Sequence, residues 1–120
     1  MREGLTSDVI AEKVIGCAFE VHMILGNGFR ETTYQQALTM ELKNAGLDIE
    51  EPVFKNHIPD QIRKQHSILI EGRVLVALNT KIPDERIRSE MADNLRNQEL
   101  ESGILLNFGA RNVTFKQIRL

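Results

Sequence analysis

The 120-residue chain lacks the features that mark secreted and membrane-spanning proteins. Its one cysteine, Cys17, cannot form a disulfide within the chain, which is typical of proteins in a reducing compartment. No apolar run approaches the roughly 18 residues of a membrane span. The first four residues, Met1-Arg2-Glu3-Gly4, do not open a signal peptide. We therefore expect a cytoplasmic protein.

The chain also lacks an excess of positive charge, since its formal net charge is -2. A domain that grips phosphate through bulk charge is usually basic, so any nucleic-acid binding must come from a local patch. The cations Arg111, Lys116 and Arg119 near the carboxy terminus are dispersed and are weak evidence for phosphate contacts. The three histidines show no zinc-ligand spacing. Repeats, low-complexity tracts and linkers are absent, which favours a single domain over residues 1–120.

What the chain has is a clear helical pattern in residues 6–25. Thr6 or Ser7 can cap this helix. Apolar residues recur at three- and four-residue steps and form one stripe, at Ile10, Val14, Cys17, Val21 and Leu25. Cys17 is therefore expected to be a small buried core residue rather than a reactive thiol.

A second set of apolar residues, Ile15, Phe19 and Met23, lies on the opposite side of the same helix. A helix that is apolar on two sides is covered on two sides. The second cover is either another part of this chain, which we favour, or a second copy of it. The latter would make the protein a homodimer through the first helix.

The rest of the chain predicts one more long helix, a hairpin and a third helix between strands. A glycine break at 26–28 precedes a helix that ends near Ala45, with a buried stripe of Tyr34, Leu38, Leu42 and Ala45. Residues 47–58 read as a strand interrupted by Pro52, and residues 59–66 are ambiguous. The runs 67–71 and 73–79 form a hairpin around Glu71-Gly72.

The third helix is predicted from Pro83-Asp84 to about Glu101, with Gly103 as its stop and a stripe of Ile87, Met91 and Leu95. Short strands follow at 104–108 and 113–120. The order α-α-β-β-β-α-β-β predicts an α/β fold, with a small mixed sheet flanked by helices.

Several motifs resemble one bacterial family. Residues 28–34 (GFRETTY) match the signature Gly-x-x-Glu-x-x-Tyr of the GxxExxY proteins. Glu20-Val21-His22 and Leu25-Gly26-Asn27-Gly28 precede it, as in that family, and residues 103–109 (GILLNFG) resemble the family's Gly-apolar-Asn-Phe-Gly strand. The resemblance covers residues 6–120. It implies a PD-(D/E)XK nuclease-like fold, and a Mg²⁺ site made of one Asp, a Glu-x-Lys on the next strand and a glutamate from the first helix.

The residues at the implied catalytic positions are different ones. When the family's hairpin is laid onto residues 65–80, Ser67 stands at the Asp position, Ala77 at the Glu position and Asn79 at the Lys position. The glutamine that the family has on the following helix falls at Glu90. Alanine offers a metal no ligand, while serine and asparagine are weak ligands beside a carboxylate. The resemblance therefore implies a degenerate site that leaves no basis for a bound cofactor.

Three residues of the family type remain, namely Glu20, Glu31 and Tyr34. For Glu31 and Tyr34 we favour structural roles. Glu31 would reach back to the Gly28 amide in a capping box, and Tyr34 would be buried. For Glu20, placed at the edge of the core, a structural role and a metal-binding role stay equally open.

Two functions follow as hypotheses. The first is a non-catalytic relative of the nucleases that acts as a binding or interaction protein. The alternative is a Mg²⁺-dependent nuclease with a rebuilt site that uses Glu20, Glu31 and Lys81, the last on the face of Asn79 if the strand continues. Passive nucleic-acid binding is a third, weaker hypothesis.

Overall fold

A computed structural model describes residues 4–82 and 84–120. Helix α1 (Ser7–Leu25) and helix α2 (Glu31–Asn44) are followed by strand β1 (Ile49–Glu50) and the single-turn helix α3 (Asp60–Arg63). Strands β2 (His66–Ile70) and β3 (Val74–Asn79) form the hairpin, and helix α4 (Ile87–Asn97) leads to β4 (Ser102–Asn107) and β5 (Thr114–Arg119). Among the described residues, no helix combines the length and the apolar character needed to cross a membrane.

The five strands form one mixed sheet in the order β1-β2-β3-β4-β5. Only the β3–β4 pairing is parallel, and α4 makes the crossover that such a pairing requires. The other three pairings are antiparallel. This confirms the predicted α/β class, with a small mixed sheet covered by helices.

The sheet separates two apolar cores. Helices α1 and α2 pack on one face, against side chains that include Val74, Val76 and Leu78 of β3. Helices α3 and α4 pack on the other face, against Leu75 and Ala77 of the same strand. The alternation follows from the twofold periodicity of a strand. Because both faces are covered, β3 is a continuous apolar run rather than a polar-apolar alternation.

The first helix begins and ends where its sequence predicts. Thr6 is the N-cap, and its hydroxyl accepts a hydrogen bond from the Val9 amide at 3.2 Å. Ile10, Val14 and Val21 of the predicted stripe are buried. Cys17, expected in the core, is only half-buried, because it lies at the edge that faces Glu41. Burial first, and then the charge of Glu41, raises the pKa of this thiol, which keeps it protonated at neutral pH.

Two predicted elements have wrong bounds, and one segment left ambiguous is now assigned. The strand expected at 47–58 has only two paired residues, since the chain after Glu50 leaves the sheet at Pro52. Part of the ambiguous segment 59–66 forms α3. The fourth helix in the chain runs from Ile87 to Asn97, so it starts later and ends earlier than expected. Of the predicted start at Pro83-Asp84, Pro83 lies outside the described residues.

Gly103 was expected to stop a helix, but it is the second residue of β4. A Cβ placed there would lie 3.1 Å from the sulfur of Met91 and 3.3 Å from the carbonyl oxygen of Leu75. Glycine is therefore needed for α4 to pack closely on the sheet. The predicted stripe of Ile87, Met91 and Leu95 is buried at this contact.

Gly109 marks the point where the chain leaves β4. A Cβ at this position would lie 1.7 Å from the Thr80 carbonyl oxygen, an impossible contact. The Phe108 amide donates to the Asn79 carbonyl at 2.9 Å, which brings the ends of β3 and β4 together. The Asn-Phe-Gly sequence thus lets two neighbouring strands end in direct backbone contact.

Candidate functional site

The hairpin brings three predicted site positions onto one face of the sheet. In the β2–β3 pairing Ser67 lies opposite Ala77, and Asn79 follows two residues along β3. Because side chains alternate along a strand and paired residues share a face, all three project from the same side. Ala77 belongs to the apolar cluster that contains Met91 and Leu95, so this is the face on which α4 packs.

A cavity of about 410 Å³ opens at the end of that face, beside the segment that leads from β3 into α4. Ala77 and Leu105, which are partners in the β3–β4 register, lie on its floor. Ile87 of α4 lines it, and Ile82, with 95% of its surface exposed, also borders it. Its size falls within the range of about 300–1,000 Å³ that is usual for small-molecule sites.

The side chain of Asn79, at the predicted lysine position, is hydrogen-bonded to neighbouring groups of the chain. Its Oδ1 accepts from the amides of Thr80 at 2.7 Å and Lys81 at 3.0 Å. Its Nδ2 donates to Oε1 of Gln65 at 3.1 Å. These bonds turn the chain away after β3, so the strand does not continue and Lys81 lies in an exposed bend.

Cations and acids both border the cavity. Lys116 is the register partner of Leu105, and Arg88 lies in the first turn of α4. Both are exposed, and neither side chain makes a hydrogen bond or ion pair within residues 4–82 and 84–120. Of the acids, Asp84 is held by Arg86, whose guanidinium hydrogen bonds lower the pKa of the carboxyl group.

Glu90 on α4, at the position where the resembling family has glutamine, also has a hydrogen-bond partner. Glu90 Oε1 accepts a hydrogen bond from the Gln61 amide at 3.1 Å, which joins α3 to α4. Throughout the part of the chain that the structure describes, no three Asp, Glu, His or Cys side chains stand close enough together to hold a metal ion.

Glu31 reaches the end of β3 from the other face of the sheet. The predicted capping box is wrong, since α2 begins at Glu31 and its N-cap is Arg30. The Glu31 carboxylate instead accepts a hydrogen bond from its own backbone amide, which is the main cause that lowers its pKa. A hydrogen bond with the Thr80 side chain and the charges of His66 and Lys81 lower it further.

The sequence was compared with known proteins. A profile of the PD-(D/E)XK nuclease superfamily matches residues 8–119, which is nearly the whole chain. The chain belongs to the PD-(D/E)XK nuclease superfamily. Neither a search of curated proteins nor a search of solved structures gave a match.

Tyr34, which the sequence singled out, lies in the core of this PD-(D/E)XK domain. Tyr34 is fully buried, and its ring stacks on Phe108 with 4.7 Å between centroids. Its hydroxyl donates to the Gly26 carbonyl at 2.5 Å and accepts from the Phe29 amide at 3.4 Å. Tyr34 therefore holds the loop between α1 and α2 against the core, and its predicted burial is confirmed.

The first helix places Glu20 away from the cavity. Helix α1 packs on the face opposite to Ala77, and Glu20 is exposed rather than at the core edge that the sequence predicted. On the same PD-(D/E)XK scaffold His22 is buried, and its Nε2 lies 3.0 Å from the Ala110 carbonyl oxygen.

The second apolar side of α1 is only partly covered by the described residues of this chain. Phe19 makes an edge-on contact with Phe115, with 6.2 Å between ring centroids, and is still 43% exposed. Met23 is 76% exposed, so the favoured expectation that the chain itself covers it is wrong. Ile15 is half-buried. We call Phe19, Met23 and the neighbouring exposed Ile24 the α1 patch.

Sequence reasoning missed the cavity and most of what borders it. Ile82 carries no signal of its own in the sequence, and Lys116 counts there only as one of the dispersed cations near the carboxy terminus. The signal that could have found Lys116 is the register of β5 against β4, which no local pattern contains. The same holds for Asn107, whose Nδ2 donates to the Lys81 carbonyl at 2.9 Å and whose Oδ1 accepts from the Gly109 amide at 2.8 Å.

Proposed function

We propose that this chain is a non-catalytic PD-(D/E)XK protein of the GxxExxY type that acts by binding rather than by cutting nucleic acid. The observation that carries the proposal is the chemistry of one sheet face. Ser67 and Ala77 are register partners, and they offer a hydroxyl and a methyl group where a nuclease needs carboxylates. The Asn79 amide is already bonded to its own chain.

These residues do not fit a catalytic Mg²⁺ ion. A divalent cation needs several anionic oxygens to replace its water ligands. Of the acids on this side of the sheet, Glu90 accepts from the Gln61 amide and Asp84 is paired with Arg86, which leaves Glu85 as a single carboxylate at the cavity border. The proposal therefore includes no metal-dependent hydrolysis at this face.

The test combines an activity assay with a binding assay. The protein is incubated with single- and double-stranded DNA and RNA in the presence of Mg²⁺ or Mn²⁺, and Mn²⁺ binding is followed by electron paramagnetic resonance. We expect intact substrates and free Mn²⁺. Cleavage, or tight binding of Mn²⁺ by the wild-type chain, would contradict the proposal.

A gain-of-binding variant makes the negative result informative. The double variant S67D/A77E places two carboxylates on paired strands, with Cβ atoms about 5 Å apart, where one cation can bridge them. We expect it to bind Mn²⁺ measurably. A matched control, T32D/T39E, adds two acids on α2 and should leave Mn²⁺ free.

One observation favours the alternative of a nuclease with a rebuilt site. Glu31 interacts with Thr80, His66 and Lys81 at the end of β3, so one acid and one lysine of that hypothesis are neighbours. Glu20, its third member, lies on α1, which packs on the same sheet face as α2, but its side chain is exposed. If cleavage is found, E31Q should abolish it, and loss of cleavage in E20A as well would include Glu20 in the rebuilt site.

The α1 patch supports the partner part of the proposal, a homodimer through the first helix. Met23 and Ile24 expose 76% and 71% of their surfaces, and Phe19 extends the same apolar surface towards Phe115. Sedimentation at increasing concentration should show a monomer–dimer equilibrium that M23S/I24S shifts to monomer. A wild-type monomer at high concentration would remove this part of the proposal.

A further inference from the structure

We infer that the cavity above Ala77 and Leu105 is a binding site for a small organic anion, a ligand with a compact apolar body and one carboxylate, sulfonate or phosphate group. The inference deepens the proposed function, on which it rests for the idea that this chain acts by binding. It draws on three observations: an apolar floor, an exposed apolar side chain at the border, and two cations whose side chains are unpaired.

The floor is apolar because small and aliphatic residues stand where the sheet ends. Ala77 is 1% exposed and Leu105 is half-buried, and the two are adjacent across β3 and β4. Ile87 closes one side from the first turn of α4. A cavity of about 410 Å³ with such a floor favours a ligand whose inner part is apolar and loses little hydration on entry.

Ile82 supports an apolar ligand body from the border of the cavity. It is the most exposed of the large apolar side chains in the described part of the chain, at 95%. An isolated exposed isoleucine is ordinary by itself. Next to a cavity with an apolar floor, however, a ligand that fills the cavity would cover it and remove its side chain from water.

The charge of the ligand follows from the cations at the border. Lys116 pairs with Leu105 in the β4–β5 register, so its side chain projects from the same face as the cavity floor. Arg88 approaches from α4. Of the two acids that border the cavity, Asp84 is neutralised by Arg86, which leaves Glu85 against two cations. A ligand anion is the partner that this surplus of positive charge favours.

The experiment uses two fluorescent probes that differ by one charged group. Anilinonaphthalene sulfonate has an aromatic body and a sulfonate, while phenylnaphthylamine has the same aromatic body and no charge. We expect the sulfonate probe to bind with one-to-one stoichiometry and the neutral probe to bind several-fold more weakly. Fluorescence titration measures both.

Two exposed residues allow the apolar and the charged contributions to be separated without disturbing the fold. K116Q should weaken the sulfonate probe about fivefold and leave the neutral probe unchanged, because it removes one partly exposed charge. I82S should weaken both probes about threefold, because it removes apolar contact from each.

Matched controls are available elsewhere on the surface. Lys55 and Val53 are exposed and lie in the chain after β1, away from the cavity lining. K55Q and V53S should therefore leave both affinities as they are in the wild type. A further variant, A77L, fills the floor of the cavity and should abolish the binding of both probes, provided that its circular dichroism spectrum is unchanged.

Several results would overturn the inference. Absence of binding, or equal affinities of wild type, K116Q and I82S, would show that the probes do not use this cavity. Loss of binding in M23S/I24S would place the probes on the α1 patch. Displacement of the probe by a short oligonucleotide, and not by small organic anions, would show that the cavity binds nucleic acid.

The outcome is independent of the cleavage test. Probe binding that depends on Lys116 and Ile82, together with metal-dependent cleavage, would refute the non-catalytic proposal and retain the anion site. Intact substrates without probe binding would retain the non-catalytic proposal and refute the anion site.

Discussion

The hydroxyl group of Tyr34 offers the sharpest test of how residues 28–34 act in this fold. Its oxygen donates to the Gly26 carbonyl at 2.5 Å and accepts from the Phe29 amide at 3.4 Å, so one atom joins both ends of the loop between α1 and α2. Replacement by phenylalanine removes that atom and keeps the buried ring stacked on Phe108. The perturbation is therefore confined to two hydrogen bonds.

The magnitude follows from the burial of these groups. A part-buried hydrogen bond contributes about 1 kcal/mol, and a carbonyl left without a partner adds up to a similar cost. The Phe29 amide adds little, because its bond is long and its residue is exposed to water. We expect Y34F to lower the free energy of unfolding by about 1–2 kcal/mol. With a urea m-value of about 1.5 kcal/mol per molar, the midpoint falls by about 1 M.

The measurement is urea unfolding followed by far-ultraviolet circular dichroism. The chain has no tryptophan, and Tyr34 is its one tyrosine, so fluorescence cannot compare wild type with Y34F. T32V is the matched control, because Thr32 is an exposed residue of the same helix. It should change stability by less than about 0.5 kcal/mol. Y34L, which also removes the stacking on Phe108, should cost more than Y34F.

Two results would refute this reasoning. If Y34F unfolds at the same urea concentration as the wild type, the hydroxyl does not hold the loop. If Y34F keeps its stability and instead loses the binding of the anionic probe, Tyr34 serves the cavity and its role in the fold has been misjudged. An unchanged m-value is required for either conclusion, since a changed one would indicate an altered unfolded or native state.

Two further predictions follow from the backbone and from a carboxylate. G109A should destabilise the protein by more than about 3 kcal/mol or prevent folding, because its Cβ would occupy the place of the Thr80 carbonyl oxygen. The control G16A lies in open space within α1 and should raise stability by about 0.5–1 kcal/mol. Thermal unfolding of both variants tests this, and a G109A variant as stable as the wild type would contradict it. Glu31 has a pKa below its ordinary value of 4.5, so its charge stabilises the folded state above that pH, and this contribution is lost as the pH falls through the lowered pKa. E31Q should therefore flatten the decrease in stability between about pH 5 and about pH 3. Urea midpoints that fall equally in the wild type and in E31Q would contradict this.

The sequence predicted much of the fold because the signals concerned are local. The stripe at Ile10, Val14 and Val21 identifies α1 through its own periodicity, and the turn at Glu71-Gly72 identifies the hairpin. The identity of Ala77 and Asn79 could likewise be read directly, since neither a methyl group nor an amide can act as a carboxylate in any surroundings. Weak local signals explain the failures at 47–66, where two residues pair and four form a helical turn.

The role of individual residues was harder to predict, because a role depends on contacts between distant parts of the chain. Gly103 has the sequence context of a helix stop, yet its function is to admit Met91 of α4 against the sheet. Glu31 has the spacing of a capping box, yet it bonds to its own amide and to Thr80, 49 positions away in the chain. In both cases a tertiary contact decides between two local interpretations.

The sequence by itself determined that this chain forms a mixed α/β fold and that Ser67, Ala77 and Asn79 stand in its central hairpin. Only the tertiary structure decided that Ala77 and Leu105 lie side by side under a cavity, with Lys116 at its border and Ile82 exposed beside it. The reason is physical. Strand pairing joins residues that are tens of positions apart, and no local pattern of polar and apolar residues encodes which strands become neighbours.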